Sequence, residues 1–163
     1  MTPRKVQVKL RRVCEDDSEF LWQLANDRNV RGASFSTASI SWGDHVAWLE
    51  SKLKDSSCEF VIATDNQNLP IGQVRFDITG TDATISISMC EEYRGKGYGT
   101  MVLQLSVKRL FESSGVNRIH AFVKATNKAS VKAFARAGFE EKGLSTIHGS
   151  QAIHFIKGRE STK

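Results

Sequence analysis

Residues Arg94-Gly95-Lys96-Gly97-Tyr98-Gly99-Thr100 set three glycines at alternate positions, between a strand-like run ending near Cys90 and a long amphipathic stretch. Glycines at this spacing let the backbone turn tightly and remove the Cβ atoms that hold a ligand off the chain. The amides opening the next helix then point outward, with the positive end of the helix dipole behind them. Such a concavity seats phosphate or pyrophosphate. The pattern is neither the GxGxxG of a dinucleotide site nor the GxxxxGK[ST] of a P-loop. A loop that only turns the chain is the alternative. A second constellation is Asn127, Ser130, Phe134, Gly138 and Phe139, spaced N-x-x-S-x-x-x-F-x-x-x-G-F after another apolar run. Asn127 can cap a helix or offer its amide to a ligand lying between neighbouring strand ends. Ser130 and Phe134 share one helical face, Gly138 stops the helix and Phe139 enters the core.

Other reactive residues carry weaker signals. His120, in a strand-like run, reads as a core or partner-bonded histidine. His148 and His154 fall in the last hairpin, and no HxxxH or HExxH spacing supports a metal site. Cys90 precedes the glycine loop, so an acyl-cysteine is chemically open, although direct transfer is favoured over it.

The elements that must position these groups follow from periodicity. Val6, Val8 and Leu10 alternate as a first strand, and Asp16-Asp17-Ser18-Glu19 opens a helix carrying Phe20, Leu21 and Leu24. Asn26 to Ile40 shows no period and reads as a long functional loop. Ser41 and Asp44 open a helix whose Trp42, Val46, Leu49 and Leu53 share a face. Phe60 to Thr64, Ile71 to Ile78 and Ala83 to Met89 predict an antiparallel meander joined by polar turns. Gly97 to Ser113 is a helix with Met101, Val102 and Leu105 inward. Arg118 to Lys124 is a strand, Lys128 to Ala137 a helix, and Phe139 onward a hairpin turning near Gly149-Ser150. The order β-α-α-β-β-β-α-β-α-β-β is α/β with a mixed sheet, in one domain over residues 1–163.

Composition agrees with that class. The 163 residues are 40% hydrophobic and 25% charged, which excludes a disordered or collagen-like chain. No run approaches the ~18 apolar residues of a membrane span, and the first residues lack a signal-peptide core. Cys14, Cys58 and Cys90 are odd in number and contain no CxxC. They read as reduced thiols in a cytoplasmic setting, without zinc. The net charge of +5 is spread along the chain, which favours a phosphorylated small molecule over nucleic acid or membrane.

The two constellations resemble the GNAT superfamily of acetyl-CoA-dependent N-acetyltransferases. Arg94 to Gly99 is similar to that family's [QR]-x-x-G-x-[GA] pyrophosphate loop, and Asn127 to Phe139 to its N-x-x-[AS]-x-x-x-[YF]-x-x-x-G-F segment. The resemblance runs from Val6 to about Ile156. It implies acetyl-CoA as co-substrate, with no metal. The cofactor would be held by Ile87, Met89, Arg94, Gly95, Lys96, Gly97, Tyr98, Gly99, Thr100, Asn127, Ser130 and Phe134. Pantetheine would lie between two splayed strands, and the N–H near Met89 would polarise the thioester carbonyl. One departure stands out: many members carry Tyr where this chain has Phe134, so the usual proton donor to the departing thiolate is missing.

For the acceptor, Leu24 to Arg31, Ser34-Phe35, Ile40-Ser41-Trp42, His45 and Trp48 look like the subgroup acting on nucleotide-linked amino sugars, the pseudaminic-acid-pathway N-acetyltransferases. That likeness implies a UDP-linked 4-amino-4,6-dideoxy sugar. Arg28 and Arg31 would hold its diphosphate, and Phe35 and Trp48 would line the sugar or base. His45, Glu91 and Glu92 are candidate bases. The bland alternatives are solvated arginines and a core His45 and Trp48. Protein N-terminal acetylation of the ribosomal-protein type and a non-catalytic acyl-CoA-binding module are the other functional readings. A homodimer is allowed.

Overall fold

The computed structural model describes residues 7–160. Seven strands form one mixed sheet in the order β1-β2-β3-β4-β5-β7-β6. In chain order the elements are β1 (Lys9–Arg12), α1 (Ser18–Ala25), α2 (Arg28–Ala33), α3 (Trp42–Lys54), β2 (Cys58–Thr64), β3 (Pro70–Thr79), β4 (Asp82–Met89), α4 (Tyr98–Ser113), β5 (Arg118–Lys124), α5 (Lys128–Arg136), β6 (Glu140–Ile147) and β7 (Ser150–Gly158). Neighbouring pairs are antiparallel except β4 and β5, which run parallel across the α4 crossover.

Strand alternation divides the apolar residues between two layers. One face carries Val61, Val74, Phe76, Ile85 and Met89 against Val102, Leu103, Val107 and Leu110 of α4 and Phe134 of α5. The other face sets Phe60 and Ile62 against Leu21 of α1 and Leu49 of α3. Both layers are needed because β2 and β3 lie in the middle of the sheet.

Four expectations require correction. The stretch Asn26 to Ile40 is not wholly a loop, because α2 forms within it. Asp27 Oδ1 accepts from the Asn29 and Val30 amides at 2.9 and 3.1 Å and so caps a helix that buries no residue, which is why no period announced it. The first strand begins at Lys9, and Val6 lies outside the described residues. On α3 the inward row starts at His45 and continues through Leu49, while Trp42 and Val46 are exposed. On α4, Leu105 faces outward and Val102, Leu103, Ser106, Val107 and Leu110 face inward. In both helices a wide apolar stripe concealed which row points at the sheet.

Candidate functional site

The parallel ladder between β4 and β5 is short. Asp82, Ala83 and Thr84 pair with Arg118, Ile119 and His120, and beyond them the two strands pair no further. The opening is a cavity of about 890 Å³, walled by Thr84 to Met89 on one side and Phe122 and Val123 on the other. Hydrogen bonding alternates along an antiparallel pair. The Cys90 N–H donates to the Ile71 carbonyl at 2.8 Å, so in the register Gly72↔Met89 and Val74↔Ile87 the amides of Met89 and Ile87 point away from β3, towards the gap. Arg94 Nε donates to the Met89 carbonyl at 2.9 Å, which leaves the Met89 and Ile87 N–H groups as donors on that edge.

The glycine loop closes one end. Gly95 and Gly97 have φ of 71° and 87°, a conformation glycine adopts without strain, and Gly97 is the N-cap of α4. No side chain caps this helix, so its first amides are free for an anion. Gly95, Gly97, Gly99 and Thr100 line the cavity, whereas Lys96 and Tyr98 do not; Tyr98 packs edge-on against Tyr93 at 5.3 Å. Arg94 also lines it, but its Nη2 bonds Asp27 Oδ1 at 3.1 Å, tying the loop to the cap of α2. Across the gap, α5 presents Lys128, Lys132 and Arg136. Asn127 and Ser130 both line the cavity and bond each other: Asn127 Oδ1 accepts from the Ser130 amide at 3.3 Å and its Nδ2 donates to Ser130 Oγ at 3.0 Å. Phe134 is 3% exposed, edge-on to Phe139 at 5.1 Å and stacked near Phe155 at 5.8 Å, so it is as much core as wall.

The cavity is also lined by Asn29, Val30, Ala33, Ser34 and Phe35 from the α2 region. Of the proposed acceptor residues, Phe35 is there and three are not. Trp48 lies on the opposite packing layer, 5.8 Å from Phe60 with the Arg75 guanidinium over its ring. Arg28 is exposed and outside the lining. Arg31 is spent on local structure, donating to the Ala25, Ser36 and Ala38 carbonyls and to Ser34 Oγ. His45 is 2% exposed, its Nε2 is 2.9 Å from the Ser18 carbonyl oxygen, and burial lowers its pKa. It is a packing histidine remote from the cavity. Glu91 and Glu92 are exposed on the short 3₁₀ turn Glu91–Tyr93, outside the lining. Cys90 is outside as well, and burial followed by the Glu92 charge raises its thiol pKa, opposite to what a nucleophile needs.

Sequence reasoning missed Thr84, Ser86 and Ser88, a row of hydroxyls on one face of β4, and Phe122 and Tyr93. Alternation along β4 was the available signal for the hydroxyl row. Among the described residues the titratable lining groups are Tyr93, Arg94, Lys128, Lys132 and Arg136, with no Asp, Glu, His or Cys. The Tyr93 hydroxyl turns to Asp65 Oδ2 at 3.3 Å, and burial followed by that carboxylate raises its pKa. The cavity therefore offers cations, free amides and hydroxyls to an anionic ligand, and no strong base.

Comparisons with known proteins bear on this geometry. The acetyltransferase (GNAT) domain family matches residues 7–140. The chain is 40% identical over 82 residues to YwnH of Bacillus subtilis (strain 168), named as a phosphinothricin acetyltransferase, covering 48% of this chain and 50% of YwnH. It thus spans about half that relative's length. It is 23% identical over 140 residues to the spermidine N(1)-acetyltransferase of Vibrio cholerae, covering 84% and 81%. The fold matches the aminoglycoside acetyltransferase AAC(6')-Ib in complex with ribostamycin and coenzyme A at a TM-score of 0.83, with 23% identity over 94% of each chain. No described helix is long and apolar enough to cross a membrane. The chain belongs to the acetyltransferase (GNAT) family.

Proposed function

We propose that this protein acetylates a weakly basic amine on a small, neutral or anionic acceptor, of which a sugar amine linked to a nucleotide is the member favoured here. The observation that carries the reading is the composition of the cavity: hydroxyls, three phenyl rings and four cations, without one carboxylate among its described lining residues. A polyamine or aminoglycoside carries several ammonium groups, and burying these without acidic partners is costly. A weakly basic amine, by contrast, already exists partly as the free base near neutral pH and needs no strong base to attack.

In this scheme the pyrophosphate of acetyl-CoA sits on the free amides of Gly97 to Thr100, near Lys128 and Lys132. The pantetheine arm follows the β4 edge. The Met89 N–H donates to the thioester oxygen as it gains charge. The free amine, approaching past Phe35 and Ser86, forms the C–N bond and gives up its proton to water, and the C–S bond breaks. The thiolate, with a thiol pKa near ~8.5, leaves without the hydroxyl that Phe134 lacks and takes up a proton from water. Arg28 and Arg31 make no contact with the diphosphate in this scheme, since neither lines the cavity.

The test is thiol release from acetyl-CoA with a UDP-linked 4-amino-4,6-dideoxy sugar, spermidine, kanamycin and an N-terminal peptide at equal concentration. The sugar nucleotide is expected to lead in kcat/KM. A tenfold or greater preference for either polycation overturns the acceptor class, and for the peptide restores N-terminal acetylation. Binding of acetyl-CoA with no thiol release on any acceptor supports the binding-module reading.

A further inference from the structure

A chain of polar side chains runs across the sheet beside the cavity, and the reaction scheme does not use it. His120 Nε2 lies 2.8 Å from Asp82 Oδ2, and His120 Nδ1 lies 2.9 Å from His154 Nε2. The His154 ring stacks on Phe122, centroids 4.6 Å apart at 8°, and lies nearly coplanar with His120, centroids 5.2 Å apart at 15°. Register explains the layer: Thr84 faces His120 across β4 and β5, and Phe122 faces His154 across β5 and β7. Thr84 and Phe122 both line the cavity, and the strands part just beyond His120. Phe122 therefore stands at the rim of the gap, where β4 no longer supports it, and its flat partner is His154.

We propose that the Asp82–His120–His154 chain is a positioning device that holds Phe122 as a fixed wall of the acceptor site. This rests on the reading that the acceptor binds beside Phe35 and Phe122. The chemistry of the chain suits the role. A carboxylate only accepts, so His120 Nε2–H donates to Asp82. With both rings neutral, His154 Nε2–H donates to His120 Nδ1. With one proton added to the pair, the charged ring donates its N–H to the lone pair of the neutral one. The link survives in either state. Only a second proton breaks it, by leaving two N–H donors facing each other.

The charges around the chain are Asp82 and Arg118, whose Nε is 3.4 Å from Asp82 Oδ1. Opposite His154 on β6 stands Gly143, and the nearby Lys142 is paired with Glu140 at 2.9 Å. Burial, and then the charge of His120, lower the pKa of His154. The wall thus stays in place at neutral pH and loosens only below the ordinary histidine range.

Two measurements test this. With the acceptor that the wild type turns over, His154→Ala should raise acceptor KM about tenfold, the worth of an aromatic stack, with acetyl-CoA KM within twofold. His154→Phe keeps the stack but not the bond to His120: acceptor KM should fall between those of wild type and His154→Ala and lose its rise at low pH. An acceptor KM within twofold of wild type in His154→Ala, or an unchanged acid limb in His154→Phe, overturns the proposal. The second measurement needs no acceptor. In a ligand-free NMR titration the Phe122 ring resonances should follow His154, with a midpoint below about 6.5. Asp82→Asn should move that midpoint, since it removes the carboxylate that His120 bonds. A midpoint unmoved by Asp82→Asn overturns the chain. Failure of every acceptor in the panel would sink the acceptor reading alone, and the titration would still decide the chain.

Discussion

Gly72 is unremarkable in the sequence, yet it sits where β3 passes behind Met89. A Cβ at this position would lie 2.7 Å from Met89 Sδ and 2.7 Å from the Ser88 carbonyl oxygen. Ordinary contact begins near 3.4 Å, so Gly72→Ala carries a shortfall of about 0.7 Å. The thioether can swing aside; the Ser88 carbonyl belongs to the ladder and cannot. The strand edge carrying the Met89 N–H must then retreat from β3. Overpacking of this kind costs about 1–3 kcal/mol, or a fall in Tm of about 3–10 °C for a chain of this size. A displacement approaching 1 Å at an oxyanion donor costs on the order of 10–100-fold in rate. The assay is a thermal melt beside thiol release at saturating acetyl-CoA, with Gly43→Ala on α3 as control, where a Cβ meets nothing within 4 Å. Gly72→Ala should lose both stability and kcat, and Gly43→Ala neither. If the two variants melt together and both keep kcat within twofold, the close approach is not what shapes the site.

Three further outcomes follow from the same geometry. Gly97→Val must hold a branched residue at φ 87°, so acetyl-CoA should no longer raise Tm, while the ligand-free protein melts within a few degrees of wild type; an unchanged ligand shift would remove Gly97 from the cofactor site. Arg31→Ala leaves the Ser36 and Ala38 carbonyls without their donor, so the segment after α2 should exchange amide hydrogens faster and stability should fall by about 1–3 kcal/mol. Unchanged exchange there, with only acceptor KM raised, would return Arg31 to a substrate role. His45 is held below the ordinary histidine pKa by burial, with its Ser18 bond opposing, so it adds stability above about pH 6.5 that is lost as pH falls through the lowered folded value. His45→Leu should flatten the decline of the urea midpoint between pH 7 and 5, and parallel curves for the two proteins would refute this.

Much of the framework was legible because it is local. The meander, the helix after the glycine loop and the cap at Asn127 depend on side-chain period and on residues within a turn of each other, and the sequence displays both. Gly95 and Gly97 could be read as a phosphate seat because left-handed backbone at a helix start is a property of those residues themselves. The acceptor half was not legible in the same way. His45, Trp48, Arg28 and Arg31 have the right chemistry, but one rotation of α3 about its axis sends His45 into the core and Trp48 onto Arg75. The short helix α2 lets Arg31 spend its donors on neighbouring carbonyls. Position across the sheet belongs to pairing between distant segments: Gly72 against Met89, Thr84 against His120, Phe122 against His154. A sequence states which residues can donate, accept or stack; only the register of distant strands decides which of them meet.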